Sequence, residues 1–397
     1  MTGGGRETGG GGETRATRAE RPGRPGPDPT PGPDPAPAAP DPAAFAALLC
    51  DWCLEVEPGQ QVLVNSTTLA EPLMLALHAA ILDHDAWPLI RSALPGLDAD
   101  FYRHARDRHL DGFAPLQLTE IESVDSVLGI IAPHNTAALA DVDPALTQRS
   151  ATARAPVQEA RLRRRWCGTI WPTAALAQQA GMSEDGYAAF VRSALFLDRA
   201  DPVAAWRELS ERQAALVGRL RDARRIRIQA PSTDLTLDVG GRTWINSDGR
   251  RNMPSGEVFT GPHERSANGT IHFTVPSSRG GTTVAGARLT FRDGEVVQAV
   301  AQQNQEYLDA ALKTDDGARW LGELGIGTNV GIDRATGSTL LDEKIAGTVH
   351  LALGRSYPET GGSNVSALHW DLICDLRDGG LLSADGAPVV RDGELVL

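Results

Sequence analysis

The apolar positions change rhythm along the chain. Between residues 42 and 56, Phe45, Leu48, Leu49 and Trp52 recur at helical spacing, with Asp41 placed as a cap, Pro42 in the first turn and Pro58-Gly59 as a stop. Gln61 to Val64 follows as a buried strand, and Glu71-Pro72 opens a helix through Leu82. Trp87 to Ile90 makes a short strand, and Ser126 to Ala132 a strongly apolar one. Strand alternating with helix predicts a parallel α/β layer. Residues 183 to 225 read as helices, the second spanning Pro202 to Arg225. Then the period falls to two, at Arg225 to Gln229, Leu235 to Val239, Thr270 to Val275, Thr283 to Phe291 and Glu295 to Ala301. Gly240-Gly241 is a turn, and Asp293-Gly294 signals a hairpin. A helix is expected within 304–325, with short strands and turns after it.

The expected fold class is therefore α/β. An N-terminal α/β domain with a parallel sheet (41–225) precedes a C-terminal β-rich (α+β) domain (226–397). Residues 1–40 are rich in Gly and Pro, as in Pro25-Gly26-Pro27-Asp28-Pro29, and have little to bury. A disordered tail is expected there.

Composition narrows the function. The 397 residues carry 38 basic and 51 acidic side chains, a net charge of −13, with 5% aromatics. Such a chain repels phosphate backbones and offers few stacking platforms, so no nucleic-acid partner is expected. No apolar run approaches the roughly 18 to 20 residues of a membrane span, so no membrane partner is expected either. The segment after Met1 lacks the apolar stretch of a secretory signal. Cys50 and Cys53 form a C-x-x-C, but Cys167 and Cys374 stand alone. Buried thiols on an apolar helix face are the expectation, in a cytoplasmic, reduced protein. No G-x-G-x-x-G, P-loop or G-x-S-x-G motif is present. The run Arg161-Leu162-Arg163-Arg164-Arg165 reads as a solvated helix end, with a docking patch as the sharper alternative.

Candidate chemistry gathers in the C-terminal half, which holds His263, His272, His350 and His369. His369 and Asp371, at i and i+2, share one face if they lie on a strand. An imidazole beside a carboxylate suits a borderline divalent ion, although such a pair is common without one. Glu257 lies in Ser255-Gly256-Glu257-Val258-Phe259, and Glu323 in Leu321-Gly322-Glu323-Leu324-Gly325. Each alone reads as a surface Glu; if buried, each needs a partner or a metal. Asp342-Glu343-Lys344-Ile345 adds another carboxylate, and His350 follows in an apolar run. Many carboxylates with few histidines is the pattern of a two-metal hydrolase. His263-Glu264 approaches H-E-x-x-H, but Ala267 replaces the second His, so a loop is expected.

These stretches together resemble the aminopeptidase T (thermophilic metalloprotease) family of dinuclear metallo-aminopeptidases. The resemblance rests on Asn252 to Thr260, Leu321 to Asn329, Asp342 to Ile345, His350 to Gly354 with Ser356-Tyr357-Pro358, and His369-Trp370-Asp371. It extends weakly from about residue 42 to the C-terminus. It implies that Glu257, Glu323, His350, His369 and Asp371 are metal ligands, with Glu323 bridging. Glu343 is implied as a ligand or the water-activating base, and Tyr357 as a donor to the oxyanion. The cofactors implied are two divalent ions per subunit, among Zn, Co, Mn or Mg. The activity implied is removal of the N-terminal residue from a peptide with a free amine, by a homodimer. A related dipeptidase or amidase acting on a non-standard amide, and a non-catalytic scaffold of the same fold, are the alternatives. The segment between Tyr357 and His369 is shorter than the acidic loop of some family members, and Glu343 and His350 are two residues further apart than in some.

Overall fold

A computed structural model describes residues 39–279 and 281–396, so the tail reading falls outside the described residues except at its last two. The first helix forms as the spacing predicts. Asp41 accepts from Ala44 N and caps Pro42–Leu48, and the helix continues through a π-helical turn, Leu49–Leu54. Cys50 and Cys53 are buried on it, and all four cysteines are free.

Five parallel strands form the first sheet, in the order Trp87–Ala93, Gln61–Thr67, Ser126–Ile131, Arg165–Ile170 and Asn252–Met253. Its two faces are buried against different elements. Val62, Val64 and Leu128 join the core under the Pro42–Leu54 and Glu71–Asp83 helices, while Leu63 and Val127 pack with Ile121 and Ala160. The fourth strand departs from expectation. Arg161 and Arg163 do close a helix, Ala155–Arg163, but Arg165 already begins a strand, carried inward by Cys167, Thr169 and Ile170. The fifth comes from far along the chain and ties the sheet to the second half.

Beyond the Pro202–Leu220 helix the sheets are antiparallel. Eight strands form one sheet, which includes Arg225–Ala230, Thr233–Asp238, Arg288–Arg292 and Glu295–Val300. Asp293 (φ 49°) and Gly294 (φ 89°) make the hairpin turn, both in the left-handed region that such a turn demands. The stretch expected as one strand over 283–291 is two, Thr282–Val284 and Arg288–Arg292, broken at Gly286 (φ 61°).

The last sheet runs in the order His369–Asp375, Thr348–Gly354, Leu321–Gly327, Glu257–Thr260 and Ile245–Ser247. Its first three strands are seven residues each; Leu321–Gly327 overlaps the stretch where a helix was expected, and the other two lie where only short strands and turns were. The helix expected within 304–325 is confined to Gln305–Ala311. Glycines at 322, 325 and 327 masked the Leu321–Gly327 strand in the sequence, because glycine ordinarily weakens strands.

Candidate metal centre

The last sheet is two-faced. Val258, Leu324, Ile326, Val349, Leu351, Leu353, Trp370, Leu372 and Cys374 all project into one hydrophobic core. The alternate residues project the other way. Register places Glu323 opposite Ala352, Ala352 opposite Asp371, Gly325 opposite His350, Gly327 opposite Glu257, and Gly354 opposite His369. Five donor side chains from four strands therefore share one face, separated only by Gly and Ala. A bulge between Leu321 and Glu323 lets Leu321 turn into the core while Glu323 stays on the donor face.

The donors form two groups that share Glu323. Glu257, Glu323 and His350 make one; Glu323, His369 and Asp371 make the other; in each group the candidate ligand atoms lie within 4.8 Å of one another. His350 Nε2 is 3.3 Å from both Glu257 Oε2 and Glu323 Oε1. His369 Nε2 is 3.6 Å from both Glu323 Oε2 and Asp371 Oδ1. His369 Nδ1 donates to the Arg355 carbonyl at 2.8 Å, which turns Nε2 toward the two carboxylates.

Burial overturns the surface reading of the two glutamates. Glu257 and Glu323 are each 5% exposed, Asp371 6% and His350 0%. Burial pushes the Glu257 carboxyl up to about 7, against the opposing Lys344 charge, and raises Glu323 and Asp371 as well. Burial alone would lower His350, but the Glu323 hydrogen bond and the Glu257 charge carry it up to about 10. Glu257 Oε2 and Asp371 Oδ1 are buried without a hydrogen bond, one in each group. Facing only imidazole nitrogens, these buried carboxylate oxygens accept no hydrogen bond and have capacity left for a cation. The oxygen-rich, imidazole-containing set, one carboxylate common to both groups, suits a pair of divalent ions.

Glu343 lies outside both groups. It caps the Thr339–Asp342 turn, and Lys344 Nζ donates to its Oε1. Lys344 is wholly buried and also lies 3.5 Å from Glu257 Oε1. The sequence reading missed this residue, although a lysine between Leu341 and Ile345 beside two acids was the available signal. Asp342 is structural: it accepts from Thr336 N, Thr336 Oγ1 and Gly337 N at 2.7 to 2.8 Å. Tyr357 packs edge-on to His369, with ring centroids 5.1 Å apart, and against Phe259 at 5.8 Å. His263 and Glu264 lie apart in a loop, bonded to Gly240 O and Arg242.

Four of the five donors, Glu257, Glu323, His369 and Asp371, open onto a cleft of about 980 Å³ that Glu343 and Tyr357 also line. Arginines from the parallel-sheet side line it too, among polar and apolar residues that include Asp248 and Trp166. No helix among the described residues is long and apolar enough to cross a membrane.

Known proteins resemble this chain in sequence and in fold. Aminopeptidase 2 of Geobacillus stearothermophilus is 31% identical over 88% of this chain and 94% of its own length. The solved AmpT of Thermus thermophilus has the same fold, with a TM-score of 0.79 over 90% of this chain and 99% of that one at 24% identity. A 2,5-dihydroxypyridine dioxygenase of Pseudomonas putida shares the fold more distantly, with a TM-score of 0.56 at 16% identity over 91% of this chain and 98% of its own. Fold likeness thus spans different chemistries, and the family is decided by sequence. The sequence pattern of the thermophilic metalloproteases matches residues 41–395, and the chain belongs to that family, M29.

Proposed function

We propose that this protein is a metal-dependent aminopeptidase that removes the N-terminal residue of peptides at a two-metal centre. The observation that carries the reading is the pair of donor groups sharing Glu323. The family and the aminopeptidase relative support it. Glu257, Glu323 and His350 would hold one divalent ion, and Glu323, His369 and Asp371 the other, drawn from Zn, Co, Mn or Mg. Bound there, the ions would polarise the scissile carbonyl and lower the pKa of water toward neutrality.

The chain's own groups supply the rest. Glu343 faces the cleft with Oε1 held by Lys344, so Oε2 is its open oxygen and takes the proton of the attacking water. The Tyr357 hydroxyl donates to the oxyanion as the carbonyl becomes tetrahedral. Its ring is fixed between His369 and Phe259, so the donor is preorganised. The carboxylate-rich end of the cleft favours the substrate's ammonium group, which restricts cleavage to the first residue. Homodimerisation rests on the family resemblance, and light scattering tests it. Four free, buried cysteines fit the reducing cytoplasm.

The decisive experiment is metal removal. Chelated protein should be inactive on amino-acid p-nitroanilides and recover with Co²⁺, Zn²⁺ or Mn²⁺, with two ions per chain by elemental analysis. Full activity in the stripped protein refutes the reading.

A further inference from the structure

The cleft has a second chemical character away from the donor face. Arg163, Arg164 and Arg165 line it from the junction of helix Ala155–Arg163 with strand Arg165–Ile170, and Arg250 and Arg251 from the segment leading to Asn252–Met253. These two segments are brought together because Asn252–Met253 is the added fifth strand of the parallel sheet. The five arginines are not equivalent. Arg165 pairs with Glu55 at 2.6 Å, and Arg250 pairs with Asp248 and stacks on Trp52 with its guanidinium carbon 3.9 Å from the ring centroid. Arg163, Arg164 and Arg251 pair with no carboxylate among the described residues. Arg164 is half-buried, and its Nε is buried without a hydrogen bond. Arg251 lies over the Trp166 ring at 5.5 Å and donates only to the Arg164 carbonyl, at 3.4 Å. Stacking on Trp166 orients the guanidinium while leaving N–H groups at its edge unused.

Arg163 and Arg251 are exposed, so the desolvation falls on Arg164; a half-buried, unpaired guanidinium is costly to build, and the arginine fork suits a planar carboxylate. The same cleft is lined by the acids of the donor face, on another sheet. Arg251 and Glu257 are six residues apart, so their Cα atoms are separated by no more than about 22 Å. A volume of about 980 Å³ over that span admits a peptide of a few residues, not a folded chain.

We infer that Arg163, Arg164 and Arg251 form a subsite for a carboxylate of the peptide substrate, distal to the bond that is cleaved. The inference rests on the aminopeptidase reading and deepens it. A short peptide is a dipole, with ammonium at one end and carboxylate at the other, and the cleft is lined with charges of both signs, carried on different sheets. Two sources could supply the carboxylate: the C-terminus of a short peptide, or an acidic side chain after the first residue. Glu359, in the turn that follows Tyr357, also lines the cleft and pairs with none of these arginines.

The test is a ratio of kcat/KM values in the metal-reconstituted full chain. One arm compares Leu-Gly-Gly with its C-terminal amide; the other compares Leu-Glu-Gly amide with Leu-Gln-Gly amide. A charge-assisted pair predicts that the carboxylate member of one arm is favoured about tenfold or more, chiefly through KM. The arm that responds identifies the source. In R164Q/R251Q the ratio should fall to near one. Arg161→Gln, on the same Trp166 ring but outside the cleft, should keep the wild-type ratio. The wild-type ratio alone is decisive if the double variant fails to fold. Wild-type enzyme that cleaves all four peptides with equal kcat/KM overturns the subsite and leaves the aminopeptidase reading intact. No cleavage of any peptide or p-nitroanilide after reconstitution overturns that reading, and the subsite with it.

Discussion

The imidazole of His350 occupies the space that a side chain on Gly325 would fill. A Cβ at Gly325 would lie 2.1 Å from His350 Cε1 and 2.2 Å from Nε2. The glycine is there for what crosses it: His350 reaches Glu257 and Glu323 only by lying flat over strand Leu321–Gly327.

Gly325→Ala should therefore displace His350 without unfolding the sheet, whose opposite face remains packed. Ligand misplacement of this kind typically costs about 10- to 100-fold in metal affinity or activity. Metal titration and circular dichroism of the variant check this. Unchanged affinity would mean that the imidazole has another stable position.

Glu323 and Glu343 should separate by metal content. Glu323→Gln removes the carboxylate common to both donor groups, so bound metal should fall below one ion per chain. Glu343→Gln should retain two ions and lose about 10²- to 10⁴-fold in kcat, the usual worth of a general base. Loss of an ion in Glu343→Gln would make Glu343 a ligand instead.

Tyr357→Phe should lower kcat by about 10²- to 10³-fold, as loss of one oxyanion donor does, with KM and metal content little changed. The ring contacts with His369 and Phe259 survive this substitution. A near-normal kcat would leave Tyr357 a packing residue.

Lys344→Met removes a wholly buried cation from between Glu257 and Glu343. Breaking a buried ion pair on one side costs about 3 to 5 kcal/mol. Thermal unfolding of the metal-free variant should show it, and saturating metal should recover part of the loss.

The metal-free protein should lose stability as pH rises from about 5 to 9. Glu257 is raised from 4.5 to about 7 and His350 from 6.5 to about 10, and Glu323 and Asp371 are raised too. Each group holds its proton in the folded chain at pH values where the unfolded chain has released it. That stabilisation is present in full below the unfolded pKa and disappears as pH passes the folded one. Metal competes with those protons, so added metal should raise Tm most at high pH. A Tm of chelated protein that climbs across this range would contradict the charge arrangement.

How much of this was visible in the sequence depends on the range of the interaction. His369 and Asp371 could be placed together because i and i+2 on a strand is a local relation. The Asp41 cap and the Asp293-Gly294 turn are local as well. The burial of Glu257 and Glu323 was not readable, because it depends on the register among strands up to about a hundred residues apart in the sequence. The basic run at Arg161 to Arg165 was visible, but its meeting with Arg251 was hidden for the same reason: the two come together only because Asn252–Met253 joins the parallel sheet. Lys344 was overlooked because a lysine beside an acid ordinarily marks a surface.

The two-faced sheet also governs which changes of chain length the centre can survive. Side chains alternate from residue to residue, so inserting or deleting one residue within Leu321–Gly327, Thr348–Gly354 or His369–Asp375 would exchange the faces beyond that point. Carboxylates and imidazoles would be driven into the oily interior, and leucines would take their places around the ions. Length variation among descendants of this chain is thereby confined to the connections, such as Pro358 to Leu368, where the reading frame of the pleat is not at stake.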